Sequence, residues 1–475
     1  MSTTSKAGSR ITSLLDENSF VEIGALVTAR NTDFNLKLSD ASSDGVITGY
    51  GLIDGKLVYV YSQDSSVLNG TVGEMHARKI ANLYDMALKM GAPIIGLLDS
   101  AGLRLEEATD ALDAMASIYA KQALASGVIP QIAAVFGNCG GGLAISESMA
   151  DFTFMEEKNA KLFVNAPNAL DGNYTAKCDT ASAEFMSKAG VVTAVGEEGY
   201  ILSSIRELVS ILPANNDSYS DAEDCTDDLN RACAGIEGCI GDTAILISQI
   251  ADDNNFVEVK ADHAKSMVTG FIRLNGNTVG VVANRSEVYG EDGKVAEKFD
   301  TVICPCGAAK ATDFINFCDA FSIPLLTITN VTGFKATVDA EKKMAKAVAK
   351  LTYAFANATV PKVNVITGKA YGSAYTVMNS KSIGCDITIA WPNAEIGTMD
   401  AKLAAKIMFN GESAEVISEK ASEYAKLQNN VVSAAKRGYV DQIVEPQDTR
   451  KYVIGAFEML YTKFEDRPAK KHGTV

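Results

Sequence analysis

Short apolar runs of strand length alternate with longer segments of helical period along most of this chain. The runs predict strands at residues 57–61, 93–98, 131–136 and 152–155, and later at 279–283, 325–328, 362–366 and 387–390. The helical spacing predicts helices at 108–126 and from 141, and later at 309–321, 340–357 and from 373. Another predicted helix has Ile80, Leu83, Ala87 and Met90 on one apolar face. This alternation predicts an α/β fold with largely parallel sheets.

The second half of the chain repeats the first at one fixed offset in numbering, 324 − 93 = 372 − 141 = 231. The matched landmarks are Pro93, Asp99, Gly102, Pro130, Gly137 and Gly141 with Pro324, Asn330, Gly333, Pro361, Gly368 and Gly372. A register that holds over six landmarks implies two similar domains. We predict them at residues 1–235 and 236–475, with the connector within residues 213–242.

In each half a predicted strand runs into a glycine turn and then into a helix. The turns read FGNCGGGLAISES at 136–148 and TGKAYGSAYTVM at 367–378. Glycine permits a positive φ, and the first N–H groups of a helix lack partners within it, so such turns suit an oxyanion. Close strand–helix packing alone would also explain the glycines. Neither turn has the GxxxxGK[ST] pattern of a nucleotide-binding P-loop.

Composition narrows the function classes. The 475 residues include 43 basic and 59 acidic ones, a net charge of −16, which disfavours nucleic-acid binding. With three histidines and one close cysteine pair, Cys304 and Cys306, neither a metal site nor a histidine-based triad is favoured. No apolar run reaches the roughly 18–20 residues of a membrane span, and the amino-terminal stretch lacks a signal core. We therefore expect a cytoplasmic protein.

The turns and their flanks resemble the carboxyltransferase subunits of biotin-dependent acyl-CoA carboxylases, decarboxylases and transcarboxylases. The resemblance rests on the stretches DGVITGYGLIDGKLVYVYSQD, ALKMGAPIIGLLDSAG, SGVIPQIAAVFGNCGGG, AKLTYAFANATVPKVNVITGKAYGSAY and AAKRGYVDQIVEP, and it extends from about residue 10 to residue 473. It implies an α/β fold of two tandem crotonase-like ββα-spiral domains. It also implies that the amino-terminal domain holds acyl-CoA and that the carboxy-terminal domain of a partner subunit holds carboxybiotin. The subunits would form a homohexamer, a dimer of trimers.

The resemblance also implies the site residues. Gly141 and Gly142 would donate their amides to the thioester oxygen as it becomes an enolate, and Ser373 and Ala374 theirs to the ureido oxygen of biotin. Further acyl-CoA contacts implied are Gly70, Arg78, Ala101, Gly102, Leu103 and Thr376. The biotin-side pocket implied is Gly333, Phe334, Tyr371 and Gly372. Thr376 stands where the family often has Asp, and SAGLRLEEA replaces SGGARIQEG, so substrate choice stays open.

The implied activity moves a carboxyl group between carboxybiotin on a separate carrier protein and the α carbon of a short-chain acyl-CoA such as acetyl- or propionyl-CoA. The chain has no AMKM-like biotinyl site and no ATP-binding glycine loop. The expected partners are therefore a biotin carboxyl carrier protein and either a biotin carboxylase or a membrane decarboxylase subunit. No metal and no nucleic acid is expected in the reaction of this chain.

Other interpretations remain at this stage. The same transfer run in reverse would suit the alpha subunit of a sodium-pumping decarboxylase, and a catalytically silent scaffold subunit is a different class. Glu106 and Glu107 suggest a crotonase-type hydratase, but Ala144 and Ile145 occupy the place of its second acid. A serine peptidase would need a histidine close in sequence to Ser146 or Ser373, and none is present. Arg78, Lys79 and Lys369 are either contacts for CoA phosphates or solvated charges.

Overall fold

The computed structural model describes residues 5–30, 43–218, 222–470 and 473. The chain forms two compact units, Met1–Ser220 (unit 1) and Asp221–Val475 (unit 2), against a predicted boundary between residues 235 and 236. Residues just after the observed boundary are bonded within unit 2. The amide of Cys233 donates to the carbonyl oxygen of Gln447 (2.8 Å), and the side chain of Arg450 donates to the carbonyl oxygen of Asp228 (3.3 Å).

Unit 1 is built from nine described strands and seven described α-helices. The strands are β1 (Val21–Ile23), β2 (Val46–Ile53), β3 (Lys56–Gln63), β4 (Ile94–Leu98), β5 (Gln131–Val135), β6 (Asn138–Gly140), β7 (Phe152–Glu156), β8 (Lys161–Phe163) and β9 (Ala194–Gly196). The helices are α1 (Lys6–Leu14), α2 (Glu74–Met90), α3 (Ala108–Ala125), α4 (Gly142–Glu147), α5 (Asn173–Ala176), α6 (Ala183–Ala189) and α7 (Glu198–Ile211).

The main sheet of unit 1 has the order β1-β2-β3-β4-β5-β7-β9, antiparallel through β3 and parallel from β3 onward. All four predicted strands of this half are confirmed. In α2, Ile80, Leu83 and Ala87 are buried as predicted. The prediction for Met90 is wrong: its side chain is 60 % exposed, because Gly91 ends α2 in a left-handed conformation and the last turn leaves the core.

Unit 2 is built in the same way. Its strands are β10 (Phe256–Glu258), β11 (Met267–Leu274), β12 (Asn277–Asn284), β13 (Glu287–Tyr289), β14 (Val295–Lys298), β15 (Val302–Ile303), β16 (Leu325–Val331), β17 (Gly333–Phe334), β18 (Lys362–Tyr371), β19 (Ile387–Ala390), β20 (Glu395–Gly397) and β21 (Gln442–Ile443). Its helices are α8 (Thr243–Ile250), α9 (Pro305–Ala320), α10 (Val338–Asn357), α11 (Gly372–Val377), α12 (Ala401–Met408), α13 (Ala414–Tyr424), α14 (Val431–Lys436) and α15 (Thr449–Leu460).

The main sheet of unit 2 follows the order β10-β11-β12-β16-β18-β19-β21 and repeats the antiparallel start and parallel continuation of unit 1. Its four predicted strands are confirmed. The repeat extends to the first hairpin. Phe20 lies over Gly49 and Phe256 lies over Gly270, where a Cβ would come within 2.5 Å and 2.6 Å of the ring. The two phenylalanines are offset in numbering by 256 − 20 = 236.

Short parallel pairings beyond the main sheets hold the loops that follow the central strands. In unit 1, β6 pairs with β8, and a single bridge joins Val72 to Leu103. In unit 2, β18 continues into a pairing with β20, and β15 pairs with β17. The bridge Ile303–Phe334 corresponds to Val72–Leu103 at the offset of the repeat, 303 − 72 = 334 − 103 = 231. These pairings fix the loops that carry the predicted site residues.

Candidate active site

Each unit carries a glycine turn at the end of a buried strand. In unit 1, α4 begins at Gly142 directly after Gly141, whose φ is +62°. In unit 2, β18 leads into α11 at Gly372, whose φ is +58°. A side chain is disfavoured at such a φ, so the backbone path alone favours glycine at both positions. The turn geometry therefore repeats together with the sequence.

The unpaired amides of the unit 1 turn lie after Gly141. The N–H of Gly141 donates to the carbonyl oxygen of Phe163 at 2.9 Å. Among the described residues, no acceptor lies within hydrogen-bond distance of the amides of Gly142 and Leu143, which start α4. These are the N–H groups that a helix leaves without an internal partner. Of the predicted donor pair Gly141 and Gly142, only Gly142 has an uncommitted amide here.

A second loop brings one more unpaired amide to this turn. The amide of Ser100 donates to the carbonyl oxygen of Asn138 (2.9 Å), which ties the loop after β4 to the turn after β5. The amides of Ala101 and Gly102 are committed, to the Asn69 carbonyl (3.0 Å) and the Ser100 hydroxyl (3.1 Å). The amide of Leu103 has no acceptor among the residues that the structure describes. We call the amides of Leu103 and Gly142 the unit 1 amide site.

Gly70, another predicted acyl-CoA contact, lies beneath the same loop. It has a φ of +64°, and a Cβ there would lie 2.4 Å from the carbonyl oxygen of Asp99. Backbone packing is therefore sufficient to require glycine at this position.

Buried charges support the loop after β4. Arg104 is 1 % exposed and pairs with Asp44 and with Glu107, the latter at 2.9 Å between Nη1 and Oε1. Glu107 also accepts the amide of Glu74 (2.6 Å), so it is not free to act as a hydratase acid. The amide of His76 donates to Asp44 (2.7 Å). Burial raises the pKa of Asp44, an effect opposed by Arg104, and burial lowers the pKa of His76 to about 3. His76 is consequently neutral at physiological pH.

Arg78, predicted to meet CoA phosphates, lies on the surface of α2. Its side chain is 66 % exposed and pairs with Glu74 at 2.9 Å. It borders a cavity of about 410 Å³ that also contains Arg30. Arg30 pairs with Glu74 (2.9 Å) and with Asp110. A phosphate in this cavity would compete with carboxylates for both arginines.

Lys79 serves the fold and is not available to a phosphate. Its ammonium group is buried and donates to the carbonyl oxygen and hydroxyl of Ser43 (3.1 and 2.6 Å) and to the carbonyl oxygen of Val46. Lys310 corresponds to Lys79 in the repeat, 310 − 79 = 231, and is buried in the same way. Its acceptors are the carbonyl oxygens of Lys260 (2.8 Å), His263 (3.0 Å) and Met267 (2.8 Å).

The unit 2 turn opens into a cleft of about 420 Å³, the unit 2 cleft. It is lined by Gly372, Ser373, Tyr375, Thr376, Ile396, Gly397, Thr398, Gln428, Ala434, Arg437 and Tyr439. The structure thus brings together the predicted residues Gly372, Ser373 and Thr376. The amides of Ser373 and Ala374, at the start of α11, have no acceptor among the described residues. The side chain of Ala374 is buried, so this residue can offer only its amide.

Other predicted residues of unit 2 lie apart from this cleft. Tyr371 is buried and its hydroxyl donates to Glu395, an interaction that raises its pKa together with burial. Gly333 and Phe334 form β17, which is half-buried and packs against α11 without lining the cleft. Lys369 is exposed, and its amide donates to Asn330 (3.0 Å).

Sequence reasoning missed one wall of the unit 2 cleft. Arg437 and Tyr439 come from the segment after α14, and Arg437 donates to Gln428 at 2.9 Å. They belong to the stretch AAKRGYVDQIVEP, which carries the family resemblance but has no glycine cluster to mark it as a site. The described residues contain no group of three or more His, Cys, Asp or Glu side chains suited to a metal ion. Nor do they contain a helix long and apolar enough to cross a membrane.

Comparison with known proteins decides the family. Residues 5–475 match the carboxyl transferase domain. The chain belongs to this family. It is 38 % identical to the methylmalonyl-CoA decarboxylase subunit alpha of Propionigenium modestum, over 99 % of this chain and 92 % of that protein. It is 39 % identical to the propionyl-CoA carboxylase beta chain of Roseobacter denitrificans, over 99 % of this chain and 93 % of that protein.

A solved structure confirms the predicted fold class. Transcarboxylase 12S, a hexamer crystallised with methylmalonyl-coenzyme A and methylmalonic acid, matches with a TM-score of 0.91 and 35 % identity, over all of this chain and 93 % of that one. Transcarboxylase 12S is a crotonase-fold carboxyltransferase, and the present chain is an α/β protein of the same fold. The family is that of biotin-dependent carboxyltransferases, so the carboxyltransferase prediction is confirmed.

Proposed function

We propose that this carboxyltransferase moves a carboxyl group between carboxybiotin on a separate carrier protein and the α carbon of a short-chain acyl-CoA. The observation that carries the proposal is the pair of glycine turns: each presents uncommitted amides at corresponding positions of a chain that matches the carboxyl transferase domain over residues 5–475. The substrate pair favoured is propionyl-CoA and methylmalonyl-CoA. Relatives named for these thioesters, and a relative crystallised with one of them, support this choice.

In unit 1, the task is to stabilise the thioester oxygen when the α carbon becomes nucleophilic. The predicted donors are Gly141 and Gly142; we propose the uncommitted amides of Gly142 and Leu103 as the working pair. Each lies beyond a different central strand, β4 or β5, and the Ser100–Asn138 hydrogen bond joins the two loops, which would let the two N–H groups approach one oxygen. Removal of one such donor typically costs about 10²–10³-fold in kcat.

In unit 2, the amides of Ser373 and Ala374 would stabilise negative charge on the ureido oxygen of biotin in the same way. When bound, biotin delivers or accepts the carboxyl group, and its ureido nitrogen is the proposed proton acceptor for the α carbon. The described part of unit 1 supports an external base, because His76 is buried, neutral and hydrogen-bonded to Asp44. Ser373 and Thr376 are exposed at the cleft and would contact the incoming groups.

The proposal extends to the partners and the assembly. We infer a biotin carboxyl carrier protein, a biotin carboxylase or membrane decarboxylase partner, and a homohexamer built as a dimer of trimers. The hexameric transcarboxylase 12S supports the assembly, and the named carboxylase and decarboxylase subunits support the partners. We also place the protein in the cytoplasm, supported by its nine free cysteines, a state typical of a reducing compartment.

The direct test is transfer from methylmalonyl-CoA to free biotin by the full-length chain, followed as release of propionyl-CoA. Biotin-dependent release is expected, and omission of biotin serves as the control. If a folded, hexameric preparation releases no product from methylmalonyl-CoA or malonyl-CoA, a silent scaffold subunit replaces this proposal. Decarboxylase and carboxylase directions share this half-reaction. They separate by the partner that the chain binds, because the transfer is reversible: a biotin carboxylase is expected for a carboxylase and a membrane decarboxylase subunit for a decarboxylase.

A further inference from the structure

Arg10 is a buried cation of unit 1 whose side chain reaches the ends of two central strands. It lies in α1 and is 4 % exposed. Its Nη1 atom is 3.7 Å from Oδ2 of Asp99, and its Cζ atom is 4.5 Å from the centre of the Phe136 ring. Asp99 is the first residue after β4, and Phe136 is the first after β5. One guanidinium group therefore contacts both strands just where they end.

The position is a costly one for a charge. Nη2 donates to Oε2 of Glu198 (3.3 Å), but Nε and Nη1 are buried and have no hydrogen-bond acceptor in the part of the chain that the structure describes. A buried cation needs compensation. Here it comes from the carboxylates of Glu198 and Asp99 and from the face of the Phe136 ring. The side chain thus bridges the start of α7, where Glu198 lies, and the two strand ends.

The residues beyond those strand ends form the unit 1 amide site. One loop leads from Asp99 to Leu103, and the other leads from Phe136 to Gly142. Gly137 has no room for a side chain, because a Cβ there would lie 2.0 Å from Oδ1 of Asp99. The spacing of the two loops is therefore established beside Asp99, next to Arg10.

Unit 2 repeats the sheet and the glycine, as Gly368, but lacks the cluster formed by Arg10, Asp99 and Phe136. At the offset of the repeat, 330 − 99 = 367 − 136 = 231, Asp99 corresponds to Asn330 and Phe136 to Thr367. The first helices of the two units are aligned by the two hairpin phenylalanines, which are offset by 236 in numbering. At this offset Arg10 corresponds to Leu246, since 246 − 10 = 236. The repeated sheet forms without the cation, the carboxylate and the ring. The fold does not require this cluster, and its presence distinguishes the site of unit 1 from that of unit 2.

We propose that Arg10 is a positioning residue for the unit 1 amide site. It holds the ends of β4 and β5 at the spacing at which the amides of Leu103 and Gly142 act on one oxygen. The expected effect of Arg10 on the rate of carboxyl transfer rests on the proposed function, whereas its expected effect on the order of the two loops does not.

The first arm of the test measures the loops directly. Arg10→Leu installs the unit 2 residue, and Arg10→Lys keeps the charge. Amide hydrogen exchange of the full chain should become about tenfold faster or more in peptides 99–104 and 136–143 of Arg10→Leu, and less so in Arg10→Lys. The matched control is Arg206→Leu, since Arg206 anchors the same helix through the Leu14 carbonyl (2.8 Å) and Asp16 (2.8 Å). Unchanged exchange in Arg10→Leu, or equal acceleration in the control, overturns the proposal.

The second arm measures transfer from methylmalonyl-CoA to free biotin. In Arg10→Leu, kcat should fall by about 10–100-fold, part of the loss expected for a missing oxyanion donor, with the KM for biotin within about twofold of the wild-type value. Arg10→Lys should recover part of the lost kcat. If Arg10→Leu cannot be purified, the exchange and kinetic measurements are both made on Arg10→Lys. Wild-type kcat in both variants overturns the proposal. A wild-type chain without transfer overturns the proposed function instead, and the exchange arm then decides the role of Arg10.

Discussion

Gly141 and Gly142 are neighbours in the unit 1 turn with different tasks. Gly141 supplies a backbone conformation, with φ +62°, and its amide is bonded to Phe163. Gly142 starts α4, and its amide is uncommitted. Only a donor without an internal acceptor can stabilise a new negative charge, so the Gly142 amide can act on an oxyanion and the Gly141 amide cannot.

Gly142→Pro removes the proposed donor, and Gly142→Ala is its matched control. Both substitutions add a Cβ, which would lie 2.5 Å from Sδ of Met115 and 2.7 Å from the Tyr119 hydroxyl, so both carry the packing cost of that atom. Only proline lacks the N–H group, and the first helical position tolerates its ring. We expect kcat of the proline variant to be about 10²–10³-fold below that of the alanine variant, with hexamer assembly retained. Equal turnover of the two variants would remove Gly142 from the oxyanion proposal.

Thr376→Asp tests substrate choice. Thr376 is exposed at the unit 2 cleft, and its hydroxyl donates to the Gly372 carbonyl (3.3 Å). A carboxylate there changes the size and charge of the pocket, so the ratio of kcat/KM for methylmalonyl-CoA over ethylmalonyl-CoA should shift by about tenfold. The KM for biotin should stay within about twofold, and Thr376→Ser should retain the wild-type ratio. A ratio unaffected by Asp would count against contact between Thr376 and the acyl group.

At the scale of elements, the short helix α4 ends in a buried carboxyl group without a partner. Neither oxygen of Glu147 has a hydrogen-bond partner among the described residues, and burial raises its pKa to about 8. Burial, and to a smaller extent the charge of Glu147, raises the pKa values of Tyr61 on β3, Tyr84 on α2 and Cys139 on β6. The helix that carries the Gly142 amide thus ends in a buried carboxyl group that stays protonated at neutral pH.

This arrangement predicts a pH-dependent stability. Below its ordinary pKa of 4.5, Glu147 is protonated in both folded and unfolded chains. Between 4.5 and about 8 the unfolded chain loses the proton and the folded chain keeps it, so the contribution of Glu147 to the free energy of unfolding falls as pH rises. Glu147→Gln should therefore match the wild type near pH 4.5 and exceed it by several kcal/mol near pH 8.

Denaturant unfolding at pH 4.5, 6 and 8 measures this difference. Asp151, whose pKa is raised to about 7 mainly by burial, titrates in the same window in both proteins and cancels in the comparison. Glu157→Gln is the control, because it removes a carboxylate whose side chain is 41 % exposed. A difference between Glu147→Gln and wild type that does not grow with pH would show that Glu147 is ionised in the folded chain.

At the scale of the whole molecule, the family resemblance implies that one active site draws unit 1 from one subunit and unit 2 from its partner. Gly142→Pro disables the proposed acyl-CoA side, and Ser373→Pro disables the proposed biotin side. Unfolding and refolding the two inactive proteins together should restore about one quarter of wild-type activity, since random pairing leaves that share of intact sites. Each variant refolded alone should remain inactive. No recovery in the mixture, with hexamers formed, would place each site within a single chain.

The repeat, the order of strands and helices, and the two glycine turns were all accessible from the sequence. Apolar runs indicate buried strands, and a φ near +60° favours glycine, so Gly141 and Gly372 can be recognised in the sequence itself. The difference between GGG in the first turn and GSA in the second can also be read from the sequence. The family resemblance added the chemistry that the duplication alone does not name.

Other features depend on residues that meet only in the folded chain. The Phe163 carbonyl occupies the Gly141 amide, and Lys79 turns inward to backbone carbonyls although its spacing suits a solvated charge. Arg10 reaches Asp99, which lies far from it in the sequence. A hydrogen bond or ion pair is a property of two partners, and the period of one segment carries no information about the other. The folded chain therefore decides which amides, cations and carboxylates of this protein remain available for chemistry.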